Sequence, residues 1–260
     1  MRVLVIADET PFYQPSFIDD LAKDLKKKNI KVYGSCVIQI NKKNDIEKYL
    51  ITKFYWLNFK EILILASKKI FFSILNFLFP YGLKNNFFST SSAFKRNKID
   101  FFKIKKNINK EEYYKKIKDL KIDLIINSSS LIFGKKILNA SKFGCLNRHT
   151  SLLPAYAGLW PVIHAISNNE KNVGVSIHEM TSKIDSGKIY AQKKINISSN
   201  KNVLLIYKKA FSISSYLIIK AINNKFKKKI PLSNNLKKSY YSFPTKENWL
   251  NFRKNGGKFF

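Results

Sequence analysis

Val3 to Ile6, Val-Leu-Val-Ile, is an unbroken run of apolar, β-forming residues. A strand with one wet face alternates polar and apolar side chains, so a run of this kind belongs to a strand buried on both sides. Ile122 to Asn127, IDLIIN, repeats the pattern. Strands covered on both faces occur where helices pack above and below a mostly parallel sheet. The intervening sequence agrees: Pro11 to Leu25 reads as a loop entering a helix with Phe17, Ile18, Leu21 and Leu25 on one face, and Lys31 to Ile40 returns to strand. The chain therefore opens as a βαβ unit of an α/β fold. The turn after the first strand, ADETPFYQP, has no glycine, which argues against a dinucleotide fingerprint whose pyrophosphate needs close backbone approach.

Further along, Lys98 to Ile108 is expected to carry a strand and a loop, Glu111 to Leu120 a helix, and Pro161 to Asn168 a helix with proline in its first turn. Gly174 to Met180 and Lys188 to Ile197 read as strands flanking the polar turn TSKIDSG, and Val203 to Ile222 as one long helix. Phe54 to Leu83 is rich in aromatic and aliphatic residues but interrupted by Lys60, Glu61, Lys68 and Lys69. Packing inside the fold is the expectation for it, with a membrane surface or a subunit interface as the other placements. Two parts are expected, a catalytic domain over 1–200 and a C-terminal helix and extension over 201–260.

The 260 residues carry a net charge of +31, and so basic a chain calls for comparison with nucleic-acid binders. The positive residues are mostly Lys, spread from Lys23 to Lys258, whereas base-reading proteins favour the bidentate Arg fork. A solvated lysine surface that attracts anionic small molecules is the expectation, rather than specific nucleic-acid recognition. Cys36 and Cys145 lie far apart beside apolar residues, so neither a disulfide framework nor a metal site is expected. No run of eighteen uncharged apolar residues occurs, and MRVLVIADET enters a strand directly; no transmembrane segment and a cytoplasmic location are expected.

One of the chain's three histidines sits in CLNRHTSLLPAYAGLWP, Cys145 to Pro161. In an extended segment Asn147 and His149 point to the same side. Asp185 follows in the turn between two strands. An amide that donates to an oxyanion, an imidazole that moves a proton and an acid that orients the imidazole suit acyl transfer.

These residues carry a resemblance. NRHTSLLPAYAG followed by GVSIHEMTSKIDSGKI is similar to the signature of the formyltransferase family, Asn-x-His-x-Ser-Leu-Leu-Pro with a downstream Gly-Val-x-Ile-His and Asp-x-Gly. The resemblance spans about Ile122 to Ile197. It implies a doubly wound, mostly parallel α/β domain that passes a formyl group from 10-formyltetrahydrofolate to a primary amine. Asn147 matches the oxyanion-stabilising Asn, His149 the proton-shuttling His and Asp185 the Asp that supports it. Ser151, Leu152, Leu153 and Pro154 match a segment that contacts the folate, and Thr181, Ser182, Lys183 and Ile184 the loop that wraps the pterin. No metal is implied. His164 and His178 are assigned to packing or loop support, Gly158 to the turn before Pro161, and Arg148 either to an anionic part of the substrate or to a place beside the site.

The acceptor is where this sequence departs from the methionyl-tRNA enzymes of the family. Their Arg-Gly-Ala-Ala-Pro run is replaced by Ala157, Gly158, Leu159, Trp160 and Pro161, without the arginine. About sixty residues follow the catalytic core, fewer than the tRNA-holding domain of those enzymes needs. A nucleotide-linked amino sugar is thus the favoured small-molecule acceptor, with Trp160, Phe12, Tyr13 and Tyr156 as a stacking wall. Methionyl-tRNA remains the alternative. A non-catalytic nucleic-acid or membrane-surface binder of the same fold is the reading from another class, and a homodimer stays open.

Overall fold

The computed structural model describes residues 1–38, 57–84, 86–232 and 235–260. Five strands run parallel in the order β3-β2-β1-β4-β5, with two antiparallel strands, β7 and β8, added beyond β5. They are β1 (Arg2–Asp8), β2 (Lys31–Ile38), β3 (Phe101–Lys105), β4 (Leu124–Ser128), β5 (Cys145–His149), β7 (Asn172–Glu179) and β8 (Ile189–Asn196). A two-residue strand β6 (Ala157–Gly158) pairs in parallel with β9 (Tyr240–Tyr241) in a separate ribbon.

The apolar runs do what their pattern predicts. Val3, Val5, Ala7, Leu124 and Ile126 enter one core, and Leu4, Ile6 and Ile125 enter a second on the other face of the sheet. The first core is covered by α1 (Gln14–Lys26) through Phe17, Ile18, Leu21 and Leu25, the second by Tyr113 and Ile117 of a helix at Glu111–Asp119 and by Ile137. Both cysteines are buried and free, and burial pushes both thiols up, Cys145 to about 12.

One expectation is corrected, and two are given their bounds. Within 98–108, expected to hold a strand and a loop, the strand is Phe101–Lys105. The strand of 31–40 is described as far as Ile38, and 39–40 lie outside the described residues. The helix of 203–222 is two helices, Val203–Ser212 and Ser214–Phe226, meeting at Ile213. The reason is local: Ser212 and Ser214 turn their hydroxyls onto the carbonyls of Lys209 and Ala210, a competition with the backbone ladder that bends helices. Both helices, with Trp249 and Phe252, belong to the first core, so residues beyond 200 pack as part of the same body as β1 and α1.

The apolar stretch is also placed differently from the expectation. From Phe59 to Leu78 it forms one helix, α2, capped by a reciprocal Asn58–Glu61 box. Its inner side is fixed by an ion pair of Glu61 with Arg253, by Phe72 against Phe12 and Phe88, and by Asn76, whose side-chain oxygen accepts from the Ser89 hydroxyl. Its other side is exposed, with Phe59 at 75% and Phe77 at 85% of full accessibility. The reason is the inner side's chemistry, because a paired carboxylate and an amide occupy the contact and leave most apolar residues facing out. Phe54 to Trp56 lie outside the described residues.

Candidate active site

Polar residues gather where β4, β5 and β7 lie side by side. Asn127 pairs in register with Asn147, and Asn147 with His178. Directly opposed residues project to the same face, so the three side chains form a row across three strands. The Asn127 Nδ2 group donates to Asn147 Oδ1 over 2.9 Å and to the Ser129 carbonyl over 3.1 Å, while the Ser129 hydroxyl donates to Asn127 Oδ1 over 2.7 Å. Asn147 is thereby turned with its N–H₂ toward His178 Nε2 (3.2 Å) and Asp185 Oδ1 (3.3 Å).

Asp185 returns to this row from the β7–β8 turn, with φ at +47°, a left-handed conformation that Asp tolerates better than most residues. Its Oδ2 lies 3.5 Å from His149 Nδ1 and accepts the Gly158 N–H over 2.9 Å, and its Oδ1 lies 3.3 Å from His178 Nε2. One carboxylate therefore serves two histidines. Each ring places its other nitrogen on a carbonyl, His149 Nε2 on Tyr156 at 2.9 Å and His178 Nδ1 on Glu179 at 2.8 Å. The Tyr156 carbonyl only accepts, so His149 Nε2 carries a proton, and the His149 nitrogen facing Asp185 is the one that gains or loses a proton.

Burial alone would raise the Asp185 pKa, but the hydrogen bond with His178, the nearby His149 and the Gly158 N–H outweigh it and bring the group down to about 2. Burial dominates at His149 and lowers its pKa below the ordinary 6.5, against the opposing pull of Asp185. Around neutral pH the site therefore holds an ionised Asp185 and a neutral His149.

These groups line a cleft of about 240 Å³, with Leu131, Ile132 and Phe133 after β4, Met180 to Asp185 after β7, and Gly158, Leu159 and Tyr240 on the remaining side. The cleft thus brings together Asn147, His149 and Asp185 with Thr181, Ser182, Lys183 and Ile184. Ser151, Leu152, Leu153 and Pro154 lie outside it. The Ser151 hydroxyl is spent on the Ala155 carbonyl, Leu153 is buried with Ala157 and Ile189, Leu152 sits where Gly174 has no side chain, and the Pro154 carbonyl accepts from Ser239 N–H. The segment shapes the turn after β5 rather than the wall of the cleft.

Other expectations resolve residue by residue. Arg148 points to the opposite face, as its alternation with Asn147 and His149 requires. There it is buried, its guanidinium bonded to Ser214 and Thr150 and lying over the Phe211 ring, and burial brings its pKa down to about 10. The aromatic wall is not formed. Phe12 packs on Phe72, Tyr13 on Tyr207 and Phe211, Tyr156 on Tyr241, and Trp160 on Phe243. His164 is structural, bonded to the Ser242 carbonyl and stacked on Tyr241. His178, expected to serve packing or loop support, instead touches Asp185 and Asn147. Asn127 and Tyr240 escaped notice, although Asn127 is the polar residue that ends an apolar strand where open α/β sheets hold ligands.

Gly158 does more than turn the chain. Its φ is +95°, and a Cβ there would run into the Tyr241 carbonyl oxygen of β9. Gly158→Ala is expected to lower stability by about 1–3 kcal/mol, read as a lower melting temperature, with activity falling in the residual folded protein because the N–H on Asp185 shifts.

No group of three or more His, Cys, Asp or Glu side chains suited to a metal occurs among the described residues. The family described as formyl transferase matches residues 81–222. The methionyl-tRNA formyltransferase of Wolbachia pipientis subsp. Culex pipiens is 35% identical over 123 residues, 47% of this chain and 41% of that protein. The chain thus spans about two fifths of the length of such curated relatives. A sugar N-formyltransferase from a Shewanella species superposes with a TM-score of 0.59 at 18% identity, covering 98% of this chain and 87% of that one. The N-formyltransferase of Helicobacter canadensis, solved with folinic acid and dTDP-3-aminofucose, gives 0.53 at 19% identity, covering 98% and 80%. At these identities the structural likeness speaks for the fold.

Proposed function

The chain belongs to the formyl transferase family, and from that premise we propose that it transfers the formyl group of 10-formyltetrahydrofolate to a primary amine, with a nucleotide-linked amino sugar as the favoured acceptor. The observation that carries the reading is Asp185 shared between His149 and His178 beside Asn147, at the strand ends of an open cleft. The cleft suits the donor in kind: Leu131, Ile132, Phe133 and Met180 offer an apolar surface for a flat ring, next to polar groups that orient it. When bound, 10-formyltetrahydrofolate supplies a formyl carbon open to attack by an amine.

The residues divide the work. The new bond joins the amine nitrogen to the formyl carbon, the bond from that carbon to the folate nitrogen breaks, and the amine proton ends on the folate nitrogen. The Asn147 amide donates to the formyl oxygen as negative charge gathers there. His149 Nδ1 takes the proton, Asp185 stabilises the imidazolium so formed, and His149 then releases the proton to the departing nitrogen. Asn127 fixes the Asn147 amide, and His178 fixes the second Asp185 oxygen.

The acceptor reading rests on two features. Residues 157–161 lack the arginine that the methionyl-tRNA enzymes carry there, and Tyr240 closes one side of the cleft, which favours a small acceptor with an aromatic-stacking moiety. The names of the sequence relatives keep methionyl-tRNA as the second reading. Mass spectrometry after incubation with 10-formyltetrahydrofolate and either amino-sugar nucleotides or methionylated initiator tRNA decides between them. Formylation of tRNA alone would overturn the sugar reading, and no formylated amine in a broad panel would overturn the transferase.

The pH profile gives a separate check. A neutral His149 acts as base above its depressed pKa, so kcat is expected to be level around neutral pH and to fall on the acid side, below the range of an ordinary histidine. Asp185 raises the His149 pKa, so in Asp185→Asn the residual activity should keep its level to a lower pH. A shift toward higher pH would contradict the coupling.

A further inference from the structure

The outward side of α2 is a stripe with the helical spacing of a single face: Phe59, Leu63, Ile70, Ile74 and Phe77, all exposed. At about 1.5 Å per residue the helix presents this stripe over about 30 Å. An apolar strip of that length on a protein surface marks a contact with something else. The helix lies ahead of residues 81–222, the family-matched segment, and none of the catalytic cleft's lining residues comes from it.

Charge chooses among occupants. Lys60 and Lys69 are exposed on the two flanks of the stripe, Lys68 lies on the inner side with its ammonium over the Phe260 ring, and the helix's one acid, Glu61, is buried and paired with Arg253. A second copy of the chain joined through this face by a two-fold axis would bring the flanking lysines toward their own counterparts, in a protein already at +31. An anionic surface with an apolar interior accepts both halves of the pattern, the aromatic and aliphatic side chains below the headgroups and the lysines among them. No helix of the described residues is long and apolar enough to cross a membrane, so the fit is to the plane of the interface.

We propose that the outward face of α2 is a docking surface for an anionic lipid bilayer. The helix need not fold on the lipid, because Glu61, Phe72 and Asn76 already hold it against the body of the protein. The ordering entropy that weakens many amphipathic anchors is therefore already spent. The docking is expected to be reversible and salt-sensitive.

The test uses the full chain and vesicles of phosphatidylcholine alone or with about one third phosphatidylglycerol. Sedimentation should show binding to the anionic vesicles at least about tenfold tighter, and the double substitution Ile70→Glu, Phe77→Glu should weaken it at least about tenfold at an unchanged melting temperature. Phe77→Trp provides a reading that does not depend on the double variant folding: its fluorescence should be quenched by brominated acyl chains beyond that of the wild type. Absence of binding, or equal binding by the double variant with no added quenching, would overturn the proposal. So would a stable dimer that the double substitution dissociates, which would assign the face to a second copy. Formyl transfer is not part of the readout, so the result stands apart from the catalytic reading.

Discussion

His149→Ala is expected to lower kcat for formyl transfer by about 10²- to 10⁴-fold, the range for a positioned general acid–base group. The substitution empties a buried position next to Asp185 and removes the ring that holds the Tyr156 carbonyl, so circular dichroism and a melting curve must accompany the kinetics. The diagnostic outcome is the pattern in a pair. In the proposed mechanism His149 and Asp185 act through one imidazolium, so adding Asp185→Asn to His149→Ala should cost far less than Asp185→Asn costs alone. Multiplying effects would mean that Asp185 works through another group, and His178, at 3.3 Å, would be that group.

The second large effect is expected at Asn147. Asn147→Ala should reduce kcat by about 10²- to 10³-fold, as when one preorganised donor to a developing oxyanion is removed, with KM for the folate little changed. The Asn127 contact sharpens the prediction. Asn127→Ala leaves Asn147 in place but frees its amide to rotate, since Asn127 Nδ2 is what holds Asn147 Oδ1. That variant should retain part of the activity, with the loss again in kcat. A loss in KM alone at either position would place the amide in ground-state binding and not in stabilising charge during transfer.

How far the sequence spoke for itself depended on the range of the signal. The both-face-buried strands were legible because an apolar run has one meaning in a covered sheet, and Val3 to Ile6 and Leu124 to Ile126 behave accordingly. Asn147 and His149 were legible because they are neighbours on one strand and one face, and Asp185 because it lies at a fixed remove in a turn. Asn127 and His178 depend on register between strands distant in sequence, which periodicity within a segment does not report. The position of the Ser151 to Pro154 segment outside the cleft was not legible for a related reason. Its match to a family motif does not say whether a side chain faces the cleft, and Ser151 and Leu153 are turned inward by hydrogen bonding and packing. Helix 59–78 shows the limit of composition: its apolar content was plain, but burial was decided by one ion pair and one amide on its inner side.

The pairing of β6 with β9 has a consequence for how the protein comes into being. As the chain leaves the ribosome, Asn127, Asn147, His149, His178 and Asp185 emerge well before Tyr240, the residue that forms the last side of the cleft. The parallel bridge from Ala157 to Tyr240 closes a long loop, a contact whose entropy cost defers it until the strands and helices between have settled. The expected order is therefore an open trough that already carries these groups, enclosed once the tail folds back and Tyr241 stacks on Tyr156 and His164. Closure of the cleft thus depends on a segment that contributes none of the Asn, His and Asp side chains gathered in it.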